Sequence, residues 1–112
     1  MGISTHILDT SFGRPATGVP VSLSRWHAER WLLLSENVTD ADGRARQLLP
    51  EGAPLDPGLY RVHFDTAAYY ETHHLTGLYP FVEIAFEVRS SEAHYHIPLL
   101  LTANGYTTYR GS

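Results

Sequence analysis

The chain has 112 residues, a net charge of −4, no cysteine and, among its eight basic residues, no lysine. That length suits one domain, residues 1–112, with a modest core, and 43% hydrophobic against 18% charged residues describes a globular chain. Disulfides, thiolate nucleophiles, cysteine-held zinc and a Schiff-base lysine are excluded, and the acidic balance argues against nucleic acid.

Alternation of apolar and polar residues, the strand period, dominates the chain. A first strand is predicted over 3–8, with Ile3 and Ile7 on one face and Ser4, His6 and Leu8 on the other. Turns at Gly13-Arg14-Pro15 and Gly18-Val19-Pro20 lead to a second strand, where Val19, Val21 and Leu23 alternate with Pro20, Ser22 and Ser24. The continuous apolar run 31–34 reads as a strand buried on both faces. Asp42-Gly43 is a dipeptide favoured in type I′ turns, and it places Arg44 at the first position of the next strand, with Arg46 on the same face. A Pro/Gly-rich loop over 50–58 precedes a strand at 59–64 that puts Tyr60, Val62 and Phe64 on one face.

Asp65 is an N-cap candidate for a short helix over 65–72. A strand over 81–89 sets Val82, Ile84, Phe86 and Val88 opposite Glu83 and Glu87. The next, over 94–101, carries His94, His96 and Pro98 on one face and Tyr95, Ile97 and Leu99 on the other. Pro98 cannot donate to a ladder, so this strand is expected at an edge or with a bulge. An Asn104-Gly105 turn of the I′ kind leads to a last strand over 106–110. Seven or eight short strands and one helix predict an all-β, two-sheet sandwich. No basic-plus-apolar leader opens the chain and no apolar stretch reaches about 20 residues, so the cytoplasm is expected and a membrane is not.

The chemistry-bearing residues are few. His6 stands on the first strand. His94 and His96, at i and i+2, point the same way; two such imidazoles can ligate a metal, given a third ligand. His73-His74 fall near the end of the helix and suit its dipole. Asp40-Ala41-Asp42-Gly43 lacks the further ligands of a calcium loop and reads as a turn. Tyr109-Arg110-Gly111-Ser112 offers a phenol, a guanidinium, a glycine and a hydroxyl beside the histidine strand. No Gly-x-Ser-x-Gly elbow, P-loop or Rossmann fingerprint is present.

The segment 5–16, Thr-His-Ile-Leu-Asp-Thr-Ser-Phe-Gly-Arg-Pro-Ala, followed by Val19-Pro20-Val21, resembles the N-terminal signature of the transthyretin family. The segment 95–101 with 105–112, ending in Tyr-Arg-Gly-Ser, is similar to its hydrolytic branch, the 5-hydroxyisourate hydrolases, as is Asp42-Gly43-Arg44. The resemblance runs from front to back. It departs at Thr102-Ala103-Asn104, where members commonly carry Ser-Pro and an aromatic residue. It implies an eight-stranded sandwich with one short helix. It also implies a homotetramer, a dimer of dimers, whose channel is lined by the first, last and His96-bearing strands.

The resemblance assigns catalysis to His6, Arg44, His96 and Ser112, and substrate binding to His6, Arg44, Tyr109, Arg110 and Gly111. The implied reaction is hydrolysis of 5-hydroxyisourate to 2-oxo-4-hydroxy-4-carboxy-5-ureidoimidazoline in urate degradation, with no metal and no cofactor. Either His6 or His96 qualifies as the base; the favoured assignment is His96, with Ser112 orienting water and His6 contacting substrate or relaying the proton. Arg44 would hold the ring oxygens. A carrier of aromatic ligands and a metal-dependent hydrolase are the alternatives. The hormone carriers of the family have lysine in place of His6 and lack the Tyr-Arg-Gly-Ser ending.

Overall fold

The computed structural model describes residues 2–112. In chain order its elements are β1 (Gly2–Asp9), β2 (Arg14–Pro15), β3 (Pro20–His27), β4 (Arg30–Val38), β5 (Arg44–Ala45), β6 (Gly58–Phe64), α1 (Thr66–Thr72), β7 (Val82–Val88), β8 (His94–Thr102) and β9 (Gly105–Thr108). The strands form two sheets. One has the order β2-β1-β8-β9, with β5 also pairing to β1; the other has the order β4-β3-β6-β7. Among the described strands only β1 and β8 pair parallel, Gly2 opposite His94 through Asp9 opposite Leu101. The expected all-β sandwich with one short helix is what the chain adopts, and two of its strands, β2 and β5, are only 2 residues long.

The pleat explains the core. Ile3 and Ile7 from β1, Val21 and Leu23 from β3, Tyr60, Val62 and Phe64 from β6, and Tyr95, Leu99 and Leu101 from β8 are buried together between the sheets. Each such side chain contributes about 1.5–3 kcal/mol on removal from water. The opposite faces of β1 and β8 are left free for polar groups. Asp65 caps α1 by accepting from the Ala68 N–H at 3.0 Å, a bond worth about 1 kcal/mol. Tyr69 then ties the helix to β1, donating its hydroxyl to Asp9 Oδ2 at 2.6 Å. Burial, and then the bond to Asp9, push the Tyr69 phenol up to about 12. No helix among the described residues is long and apolar enough to cross a membrane.

Three expectations need correcting. The apolar run 31–34 is not buried on both faces: Leu32 is 41% and Leu33 56% exposed. Among the described strands its strand, β4, pairs only with β3 and forms the edge of its sheet, so its far flank lacks cover. Conversely, β8 is not an edge strand but lies between β1 and β9. Pro98 is tolerated there because pairing lapses beside it: the ladder to β9 stops at Leu99 opposite Thr108 and resumes only as a bridge from His96 to Gly111. The register is the same on both sides of the lapse, so no residue bulges, and the Pro98 carbonyl instead accepts from the Thr108 hydroxyl at 2.8 Å. Third, neither expected type I′ turn is one: the hairpin between β8 and β9 pairs Thr102 with Gly105, so Ala103 and Asn104 form its tip and neither is left-handed, and of Asp42 and Gly43 only the glycine is left-handed. The paired left-handed residues that define a type I′ turn are Ala28 and Glu29, φ 51° and 63°, joining β3 to β4.

Candidate functional site

The parallel pairing of β1 with β8 sets Ser4 opposite His96. On the outer face of this sheet the Ser4 hydroxyl lies 2.8 Å from His94 Nε2 and 2.8 Å from His96 Nδ1. Ser4 is buried beneath the two rings. Because Nδ1 of His96 is engaged by Ser4, Nε2 is the nitrogen that this ring offers to the space above it. Sequence reading passed over Ser4, although its place on the face shared with His6 was the available signal.

Arg44 reaches the same face through a tightly bonded turn. Asp40 Oδ1 accepts from the N–H groups of Asp42 at 2.9 Å and Arg44 at 3.0 Å. Asp40 N–H donates to the Arg44 carbonyl and Gly43 N–H to the Asp40 carbonyl, each at 2.9 Å. Gly43, at φ 75°, is required twice over: L side chains rarely adopt that conformation, and a Cβ would lie 2.4 Å from the Ile7 carbonyl oxygen. The close approach lets Ile7 N–H donate to the Gly43 carbonyl at 2.7 Å, which draws the turn onto β1 and sets Arg44 opposite His6. His6 Nε2 donates to the Asp42 carbonyl at 2.9 Å, so that nitrogen is occupied as a donor.

The tail arrives from the other side of β8. Gly111 N–H donates to the His96 carbonyl at 2.8 Å. A Cβ on Gly111 would stand 2.4 Å from His96 Cδ2 and 3.1 Å from Pro98 Cγ. Here the glycine serves for closeness, its missing side chain allowing the tail to lie against the imidazole and carry Ser112 past it.

Ser4, Thr5, Arg44, Arg46, His94, His96 and Ser112 line one open cavity of about 240 Å³. Burial, then the neighbouring Arg44 guanidinium and the His6 and His94 imidazoles, hold the His96 imidazole below the usual histidine range, which favours its neutral form. Arg46 is drawn toward Asp40 and Asp42 at 4.0 and 3.9 Å. Among the described residues no carboxylate pairs with Arg44, so its fork of donors is open to a ligand. A neutral base and an open guanidinium facing one cavity suit attack of water on a carbonyl. No group of three or more His, Cys, Asp or Glu residues placed to hold a metal ion occurs among the described residues.

The structure thus brings Arg44, His96 and Ser112 together, with His6 beside Arg44. It does not bring Tyr109 and Arg110 with them. Those two line a separate cavity of about 310 Å³ with Ile84, Phe86, Tyr95 and Ile97, and the Arg110 guanidinium sits 4.5 Å from the Tyr95 ring centroid. Volume alone would favour that cavity, but no histidine lines it, and the chemistry favours the smaller one. His73 is engaged with the Tyr69 carbonyl at 3.0 Å at the end of α1.

Residues 3–111 match the family model described as HIUase/Transthyretin family. A 5-hydroxyisourate hydrolase of Salmonella dublin is 44% identical over 110 residues, which cover 98% of this chain and 80% of that protein. The solved structure of Klebsiella pneumoniae 5-hydroxyisourate hydrolase matches with a TM-score of 0.87 at 38% identity, covering 100% of both chains. Sea bream transthyretin, solved in complex with thyroxine, matches with a TM-score of 0.88 at 34% identity, covering 99% of this chain and 95% of its own.

Proposed function

Since the chain belongs to the HIUase/transthyretin family, we propose that it hydrolyses 5-hydroxyisourate to 2-oxo-4-hydroxy-4-carboxy-5-ureidoimidazoline, a step of urate degradation, within residues 1–112 acting as one domain. The observation that carries this reading is the convergence of His96, Arg44 and Ser112 on one cavity, with His96 disposed to stay neutral.

His96 Nε2 takes a proton from water as the oxygen attacks the amide carbonyl of the six-membered ring. Charge then develops on the carbonyl oxygen, where the planar guanidinium of Arg44 supplies donors that lysine could not place. The C–N bond breaks, and the proton held by His96 passes to the departing ring nitrogen, directly or through His6. Ser112 orients the attacking water. A positioned base accounts for about 10²–10⁴-fold in rate. His, Arg and Ser fill every role in this scheme, which uses neither a metal nor a cofactor.

Tyr109 and Arg110, which within one copy line the other cavity, remain in this proposal as substrate-binding residues. The homotetramer, a dimer of dimers, belongs to this proposal, and sedimentation velocity tests it. The second reading is a carrier of aromatic ligands; its support is the likeness to a transthyretin solved with thyroxine.

The deciding experiment generates 5-hydroxyisourate from urate with urate oxidase and follows its near-ultraviolet absorbance in EDTA, using protein with an untagged C-terminus. Accelerated decay that His96→Ala abolishes supports the hydrolase. Decay at the spontaneous rate supports the carrier. Activity lost in EDTA and regained with zinc supports a metal-dependent hydrolase.

A further inference from the structure

Ser4 has one proton to share between two imidazoles. It lies 2.8 Å from His94 Nε2 and 2.8 Å from His96 Nδ1, both within hydrogen-bond range. A hydroxyl can donate to only one of them and must accept from the other. Two arrangements satisfy both bonds when the rings are neutral. In the first, His96 Nδ1–H donates to Ser4 and Ser4 donates to His94 Nε2, leaving a lone pair on His96 Nε2. In the second, His94 Nε2–H donates to Ser4, Ser4 donates to His96 Nδ1, and His96 Nε2 carries a proton. The two rings therefore cannot choose their tautomers independently.

We propose that Ser4 and His94 are positioning residues, forming a relay that holds the His96 proton on Nδ1 and keeps the Nε2 lone pair open to the cavity. The proposal rests on the reading of His96 as the base. Its surroundings favour the first arrangement. His96 faces Ser4 and His6 from β1, Arg44 and Arg46 from β5 and the residues after it, His94 from its own strand and Ser112 from the tail. A proton on Nε2 would turn a donor toward a space already bordered by two guanidinium groups, whereas a lone pair there meets donors. In the first arrangement His94 carries its proton on Nδ1, and His94 is exposed, so water can accept from it. The first arrangement also survives the reaction. When His96 takes the proton from water at Nε2, its Nδ1–H keeps donating to Ser4 and nothing in the relay has to turn. Fixing the tautomer of a catalytic histidine is the established task of the buried carboxylate in hydrolase triads; here a serine and a second histidine take its place.

The relay makes His94 matter to turnover through His96. Ser4→Ala is expected to lower kcat by about 10–100-fold, the range found when partners that orient a functional histidine are removed, with little change in KM. His94→Ala is expected to do the same. His94→Gln is expected to recover most of kcat, because its amide oxygen can accept from Ser4 as Nε2 does. The direct readout is the ¹⁵N shift of the two His96 ring nitrogens at pH 8. The wild type is expected to show Nδ1–H, and Ser4→Ala to show a move toward Nε2–H. Nε2–H in the wild type, or a His96 tautomer and kcat both unmoved in Ser4→Ala, would overturn the relay. The function reading fails separately, if His96→Ala retains full activity, and the nitrogen shifts report the relay in either event. Circular dichroism identifies a variant that has lost its fold; the wild-type nitrogen shifts then still decide.

Discussion

Arg44 and Ser112 reach the same cavity by routes of very different construction. The turn that delivers Arg44 is closed by two bonds to the Asp40 carboxylate, two backbone bonds across it, and a fifth from Ile7 that binds it to β1. The tail that delivers Ser112 follows two residues outside the ladder and is held by one backbone bond, from Gly111 to His96. Both segments turn on a glycine, but for different reasons: Gly43 needs a left-handed backbone, and Gly111 needs only the absence of a side chain. The turn is built into the sheet and contributes to its stability. The tail leans on the sheet, so its placement can be lost at little cost to the fold.

Several substitutions set these two routes against each other. Arg44→Lys leaves the turn intact and replaces the planar fork with a point charge; kcat/KM is expected to fall by about 10²–10³-fold, with the melting temperature unchanged. Turnover near the wild-type level would remove Arg44 from the oxyanion role. Gly111→Ala is expected to cost about 10²-fold in kcat/KM, the scale set by misplacing a catalytic group by about 1 Å, again with little change in melting. Deleting Gly111 and Ser112 together should resemble it, and a fully active truncation would take the tail out of the mechanism.

The pH profile tests His96 as the proposed base. In that role it works when neutral, and burial holds its pKa below the usual value of about 6.5. Activity should therefore hold through neutral pH and fall only as the pH drops below that value. An acid limb above 6.5 would contradict the burial of the ring. The smallest expected effect belongs to Asp40, whose carboxyl is held below the usual aspartate range chiefly by the Arg44 N–H. A lowered carboxylate pKa contributes stability above the ordinary value of about 3.9, and that contribution is lost as the pH falls through the folded-state value. Asp40→Asn should thus melt slightly below the wild type at pH 7, with the gap closing below about pH 4. A gap independent of pH would show that the charge contributes nothing.

Much of this arrangement is legible from residue order. Alternation identifies the buried faces of β1, β6, β7 and β8, because a pleated strand beside a core has no other way to dispose of its side chains. The Asp42-Gly43 pair marks the turn that sets Arg44 in place. What escapes is pairing between distant segments. Nothing in 31–34 says that its strand will be the last in its sheet, so an apolar run reads as buried when it is not. Pro98 reads as an edge residue because the lapse in pairing that accommodates it belongs to Tyr109 and Arg110, whose departure from the ladder has no local signature. Ala28-Glu29 carries no turn preference and adopts left-handed φ because β3 and β4 must be joined in two residues. Ser4 is an ordinary strand serine until a parallel neighbour brings two imidazoles to it.

That parallel neighbour also governs the order in which the molecule is assembled. Ser4 and His94 are 90 positions apart, and β1 finds its long partner only after nearly all of the intervening chain has been made. The hairpin of β3 and β4 can close around its two-residue loop at once, whereas β1 must wait with one flank unpaired. Contacts of such long range slow folding and prolong the exposure of apolar strands. Because the cavity is lined by β1, the turn after Asp40, β8 and the tail, it cannot be complete until the last residues of the chain are in place.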